Sequence, residues 1–166
     1  MKNIPQITAS NLRIQPLARA STIPSEWYTR PEFHEWDKAC IFSRTWQAVG
    51  HLSRLKNTGD YLVANIADNP IIVVCGKDEK IRAFYNVCRH RGGPLAFSDG
   101  QAKALQCKYH GWTYRLDGTL RGTPQFDGVE NFDKKDYCLL PLPCEIYEGL
   151  VFVRLTEEGE PLSLVL

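Results

Sequence analysis

The pattern of apolar and polar positions changes character at about Trp46. Residues 1 to about 21 mix polar residues with isolated apolar ones at neither helical nor strand spacing, which predicts a segment that wraps the surface or moves. One helix is predicted next. Pro31 suits a first helical position, Glu32 favours the positive end of the helix dipole, and Phe33, Trp36 and Cys40 share one face up to about Ser43. That aromatic face is expected to dock on the main body of the protein.

From Trp46 onward the signals are those of strands. Tyr61-Leu62-Val63-Ala64, Pro70-Ile71-Ile72-Val73-Val74 and Ile81-Arg82-Ala83-Phe84-Tyr85 are short runs rich in β-branched and aromatic residues, and Gly76 to Lys80 reads as a hairpin connection. Further strands are predicted over Ala104 to Lys108, Trp112 to Arg115 and Thr119 to Arg121, with Asp117-Gly118 as a turn. A last hairpin joins Leu139–Ile146 to Val151–Leu155 around Glu148-Gly149. Short antiparallel strands at this spacing predict an all-β domain of stacked sheets preceded by one helix.

Composition narrows the function. A chain of 166 residues that is 43% hydrophobic can bury one core and an appended helix, so a single domain is expected. The net charge of +1, with no Lys/Arg run interleaved with aromatics, argues against a nucleic-acid partner. No apolar stretch approaches the roughly 18 residues of a membrane span. Met1-Lys2-Asn3-Ile4-Pro5 leads into polar residues rather than a signal-peptide core, so a cytoplasmic protein without a membrane partner is expected.

The candidate chemistry lies in two short loops. Cys88-Arg89-His90 is followed, with sixteen residues between, by Cys107-Lys108-Tyr109-His110, which spells C-x-H-x16-C-x2-H. Two thiolates and two imidazoles in two loops are what a Rieske 2Fe-2S centre needs, because two cysteines there hold one iron and two histidines the other. Neutral imidazoles in place of two thiolates remove negative charge, so reduction becomes easier than in an all-cysteine cluster. A tetrahedral zinc site is the alternative for a Cys2His2 set, but zinc spacings pair like with like, whereas each loop here brings one of each. Gly92, Gly93 and Gly111 suit backbone that must turn tightly against sulfur, and Arg89, Arg91 and Lys108 place positive charge beside the loops.

The remaining cysteines, Cys40, Cys75, Cys138 and Cys144, lack metal-site spacing and read as small buried thiols. A Cys138–Cys144 disulfide is conceivable on spacing but unfavoured in a reducing cytosol. His34 and His51 read as structural.

Cys88-Arg89-His90-Arg91-Gly92 and Cys107-Lys108-Tyr109-His110-Gly111-Trp112 resemble the Rieske domain of ring-hydroxylating oxygenase alpha subunits. The segments Tyr28 to Glu32, Ile41 to Trp46, Val49-Gly50-His51 and Gly59-Asp60-Tyr61 agree, as do Tyr114 to Gly118, Leu139 to Leu142 and Gly149 to Val153, so the resemblance spans about residues 22 to 155. It implies a Rieske fold over 46–155 with a cluster-binding subdomain at about 86–115, an N-terminal segment over 1–45 and a tail over 156–166. Cys88, His90, Cys107 and His110 are the implied cluster ligands. Gly93 and Tyr109 stand where the respiratory type carries its extra cysteines, so the chain resembles the low-potential type.

The resemblance also implies partners: a reductase or ferredoxin as electron donor, and an oxygenase catalytic domain or neighbouring subunit as acceptor. Such subunits carry a mononuclear non-haem iron on two histidines and a carboxylate, and with only His34 and His51 to spare no such catalytic site is expected in this chain. It reads as the electron-transfer half of an oxygenase acting on a small organic molecule, with a free-standing Rieske-type ferredoxin as the alternative. Residues 22 to 60 favour the oxygenase. The stretch from Phe126 to Asp133 resembles, faintly, the branch acting on choline, betaine and carnitine-like compounds, while aromatic acids stay open as substrates.

Overall fold

The computed structural model describes residues 8–166, and the part of the N-terminal expectation that falls on residues 1–7 lies outside it. Two short helices, α1 (Glu26–Thr29) and α2 (Pro31–Asp37), precede the sheets. Pro31 opens α2 as expected, and Phe33 is buried with its ring stacked on Trp27 at 5.6 Å. The predicted continuation to Ser43 is a π-helical turn, Lys38–Phe42, in which the Ser43 amide donates five residues back to the Lys38 carbonyl. The extra residue in that turn shifts the helical register, and Cys40 is exposed rather than buried on the Phe33 face. Lys38 fastens the segment to the sheets through Asp68 (2.5 Å) and also pairs with Glu35 (2.7 Å).

Eleven strands come next: β1 (Gln47–His51), β2 (Asp60–Ile66), β3 (Asn69–Cys75), β4 (Ile81–Tyr85), β5 (Gly100–Gln101), β6 (Leu105–Gln106), β7 (Thr113–Tyr114), β8 (Leu120–Gly122), β9 (Pro141–Leu142), β10 (Cys144–Tyr147) and β11 (Leu150–Val153). They form three antiparallel sheets in the orders β1-β11-β10, β5-β2-β3-β4-β9 and β6-β7-β8. The central sheet explains the unbroken apolar run of β3. Ile71, Val73 and Cys75 pack with Val151 and Val153 of the first sheet, whereas Ile72 and Val74 pack with Trp112 and Tyr114 beside the third. A strand covered on both faces has no polar face to show.

Two local readings change. The expected Leu139–Ile146 strand is divided at Pro143: β9 pairs with β4 and β10 pairs with β11, so the two halves belong to different sheets. Proline has no N–H to continue a ladder, which makes it the natural break. The four cysteines read as buried thiols also separate. Cys75 is buried, Cys138 and Cys144 are half-buried, and all are free. After β11 the chain is held by Arg154, whose guanidinium lies 4.6 Å over the Trp46 ring and donates to the carbonyls of Thr156, Glu157 and Glu160. No helix among the described residues is long and apolar enough to cross a membrane.

Candidate metal centre

The first loop with candidate ligands, Cys88 and His90, leaves β4 through Asn86, which is buried. Its Oδ1 accepts from the amides of Leu95 (3.0 Å) and Ala96 (3.1 Å), and its Nδ2 donates to the Ala96 carbonyl (2.7 Å). One amide side chain thus closes the loop from 86 to 96 into a lasso around Cys88 and His90, a role that nothing in the local sequence announced.

The second loop joins β6 to β7 and repeats the first in its backbone. The amides of Gly92 and Gly111 donate to the carbonyls of Cys88 and Cys107, both at 2.9 Å, and the amides of Cys88 and Cys107 donate to the carbonyls of Gly93 (2.8 Å) and Trp112 (2.9 Å). Gly92 and Gly111 have φ of +73° and +74°. A residue with a Cβ is strained there, so the glycine four positions after each cysteine is what lets the loop close. The two loops are a matched pair.

They deliver their donors at different depths. Cys88 and Cys107 are buried, at 2% and 3% exposure, whereas His90 is half-buried and His110 exposed. The imidazole centroids lie 4.7 Å apart with the rings at 74°. Among the described residues no three His, Cys, Asp or Glu side chains surround one point suited to a single metal ion. The donors come as a sulfur pair and an imidazole pair, and two protein ligands per iron is what a two-iron cluster requires.

The electrostatics suit metal binding. Burial pushes the Cys88 thiol above its ordinary range, so a thiolate forms there only with a positive partner. Burial, with the nearby His110 and Arg91, lowers the His90 pKa and keeps its ring neutral, as a ligand must be. His90 Nδ1 is buried and has no hydrogen-bond partner. An unpaired nitrogen that has left water behind is costly unless something binds it. A Cβ on Gly93 would stand 3.2 Å from Cys107 Sγ, so the bare glycine leaves room beside that sulfur.

Aromatic residues fix the donors from behind. The Trp112 indole lies parallel to the His90 ring at 4.7 Å and 9°, and Phe126, Phe132 and Tyr137 pack edge-on around Trp112. The exposed ring of Tyr109 lies 3.8 Å from the His110 ring, tilted by 34°. The Tyr114 hydroxyl accepts from the Arg89 amide (2.9 Å) and lies 3.4 Å from Cys88 Sγ, so its own proton is free to point at the sulfur.

A matched pair of loops offering two buried thiols and two imidazoles, one half-buried and one exposed, has the donor set of an iron–sulfur domain of mixed ligation. Residues 45–133 match the Rieske 2Fe-2S domain, and the chain belongs to that family, whose cofactor is a 2Fe-2S cluster. It is similar to the carnitine monooxygenase oxygenase subunit of Acinetobacter pittii, 41% identical over 84% of this chain and 38% of that protein. It is likewise similar to the chloroplastic choline monooxygenase of Arabidopsis thaliana, 37% identical over 85% of this chain and 33% of the relative. The structure of a quaternary ammonium Rieske monooxygenase, studied for carnitine oxidation and inter-subunit electron transfer, superimposes with a TM-score of 0.79 at 38% identity, over 84% of this chain and 39% of that one. The chain therefore spans 33–39% of the length of these relatives. The likeness to oxygenase subunits extends beyond the matched domain, which favours the oxygenase reading over the free-standing ferredoxin.

Proposed function

We propose that this chain is the electron-transfer domain of a Rieske non-haem iron oxygenase, with Cys88 and Cys107 holding one iron and His90 and His110 the other. The matched loops, closed by Gly92 and Gly111, carry the reading. Bound there, the cluster supplies one-electron storage at a potential above that of all-cysteine ferredoxins. The cluster domain spans 46–155, with its cluster-binding part at about 86–115, between an N-terminal segment over 1–45 and a tail over 156–166. Its electron donor is a reductase or ferredoxin, and its acceptor is a mononuclear iron in an oxygenase catalytic domain or neighbouring subunit. The substrate is a small organic molecule that is hydroxylated or demethylated. Relatives named for carnitine and choline favour a quaternary amine.

The chain's own residues set direction and poise. The Asn86 lasso and the buried sulfurs exclude water from the cysteine side, while exposed His110 and half-buried His90 give electrons an edge at the surface. Protein reconstituted with iron and sulfide is expected to carry two irons per chain, and reduced protein grown with 15N-histidine should show nitrogen coupling in pulsed EPR. One zinc and no iron, or a reduced cluster without nitrogen coupling, would sink the proposal.

Tyr114 tunes that centre. A hydroxyl proton aimed at Cys88 Sγ draws charge from the sulfur and favours the reduced state. Tyr114→Phe keeps the buried ring and removes only that proton. The reduction potential is expected to fall by about 40 mV, which corresponds to about 1 kcal/mol of differential stabilisation for one electron. An unchanged or raised potential in protein-film voltammetry would show that the hydroxyl does not act on the sulfur.

A further inference from the structure

A second site lies at the other end of the β6–β7 hairpin from the ligand loop. There, a cleft of about 490 Å³ is lined by Lys77, Arg82, Lys103, Arg115 and Arg121. Five of the chain's 20 lysines and arginines meet in this one place, although the chain as a whole carries a net charge of only +1. Two carboxylates, Asp78 and Asp117, share the cleft. Asp78 is spent on Arg82, which it grips through two hydrogen bonds of 2.8 and 2.7 Å. Asp117 is engaged by Thr119, whose amide (2.9 Å) and hydroxyl (2.6 Å) both donate to it. The side chains of Lys77, Lys103 and Arg121 are exposed, and among the described residues none of them has a hydrogen bond or ion pair. Five cations against two carboxylates leave the cleft with a net positive charge, carried outward by the three unpaired side chains of Lys77, Lys103 and Arg121, and such a field attracts an anionic surface.

The wall of this cleft is continuous with the cysteine side of the metal centre. Arg115 directly follows Tyr114, whose hydroxyl lies 3.4 Å from Cys88 Sγ. Ala104, also in the wall, is three residues before Cys107, or about 10 Å along an extended backbone. Leu105, Tyr114 and Leu116 are buried and belong to the same apolar cluster as Cys88 and Cys107. The imidazoles open on the opposite end of the same hairpin, where they stay free for an acceptor.

Building on the electron-transfer reading above, we propose that this cleft is the docking site of the electron donor, a protein with an acidic surface around its own redox centre. Charge complementarity selects the partner, and β6, which leads to Cys107, and β7, which contains Tyr114, place it behind the sulfurs. Electrons then enter on the cysteine side and leave from the histidine side, so donor and acceptor do not compete for one face.

The test uses the cluster-loaded full chain and, as donor, an acidic plant-type ferredoxin of lower potential, with cluster reduction followed by stopped-flow absorbance. The triple variant Lys77→Glu/Lys103→Glu/Arg121→Glu is expected to be reduced about tenfold or more slowly than wild type, and to lose the steep fall of the wild-type rate with salt. Its EPR spectrum and its reduction by a photogenerated deazaflavin radical, which is small and uncharged, stay as in wild type. Arg13→Glu/Arg44→Glu/Lys56→Glu makes the same change of net charge at exposed positions outside the cleft and keeps the wild-type rate within about twofold. The docking site is overturned if the cleft variant matches wild type, if the control variant slows equally, or if the ferredoxin does not reduce a loaded wild-type cluster. A chain that takes up no cluster at all overturns the electron-transfer reading itself, and this proposal with it.

Discussion

Cys107→Ser and Cys88→Ser are each expected to abolish the cluster, with iron and labile sulfide falling to background and the reduced-state EPR signal lost. Both sulfurs are buried, and burial holds the Cys88 thiol above its ordinary range, so its thiolate is favoured when a cation binds it. A serine hydroxyl is harder and far less acidic than a thiol, and in the same apolar surroundings it does not replace a thiolate on iron. His90→Ala and His110→Ala should also lose the signal. Removing His90 takes away the one buried ring nitrogen that has no partner among the described residues. Cys40→Ser and Cys138→Ser, at exposed and half-buried thiols outside the loops, provide the comparison and should load two irons as wild type does. An unchanged EPR spectrum in any of the four loop variants removes that residue from the ligand set, and loss of the cluster in Cys40→Ser would show that thiol chemistry elsewhere controls loading.

Trp112→Ala should be the most destabilising single change behind the site. The indole is 1% exposed, stacks on His90 and makes edge contacts to three further rings, so its truncation removes a large apolar side chain at the point where loop and core meet. Loss of such a side chain costs about 3–5 kcal/mol. For a domain of this size that lowers the melting temperature by about 10 °C or more. Trp112→Phe retains a planar face against His90 and should recover much of the loss. The His90 ring, deprived of its backing, is also expected to change its nitrogen coupling in the reduced cluster. Melting of Trp112→Ala within about 2 °C of wild type would mean that the aromatic stack is not what holds the second loop to the core.

The candidate site was legible because its chemistry is local. Each loop carries one cysteine and one histidine within four positions, followed by glycine, and a strand–loop–strand pattern surrounds both. Neither composition nor periodicity was needed to see the four residues, and the spacing alone disfavoured zinc. What holds them was not legible. Asn86 acts on residues 9 and 10 positions away, and Tyr114 reaches Cys88 across 26. No propensity or period encodes such contacts, because they exist only once separate strands are packed together. Phe126, Phe132 and Tyr137 show the same limit: in sequence they lie in an irregular stretch, and only the fold gathers them around Trp112.

By itself, the sequence determined the all-β class, the hairpin at Gly76–Lys80, the apolar strand that became β3, and the two loops that carry the candidate ligands. These depend on alternation, turn chemistry and ligand type, which act over a few residues. Tertiary structure decided how strands were shared among sheets, as at Pro143, and which cysteines reached the interior, since one π-helical turn put Cys40 into solvent. It also decided the basic cleft, whose residues run from Lys77 to Arg121 and come together only when the third sheet packs beside the β3–β4 hairpin. Long-range pairing depends on the packing of the whole chain rather than on local preference, so what is built from it is visible only in the folded molecule.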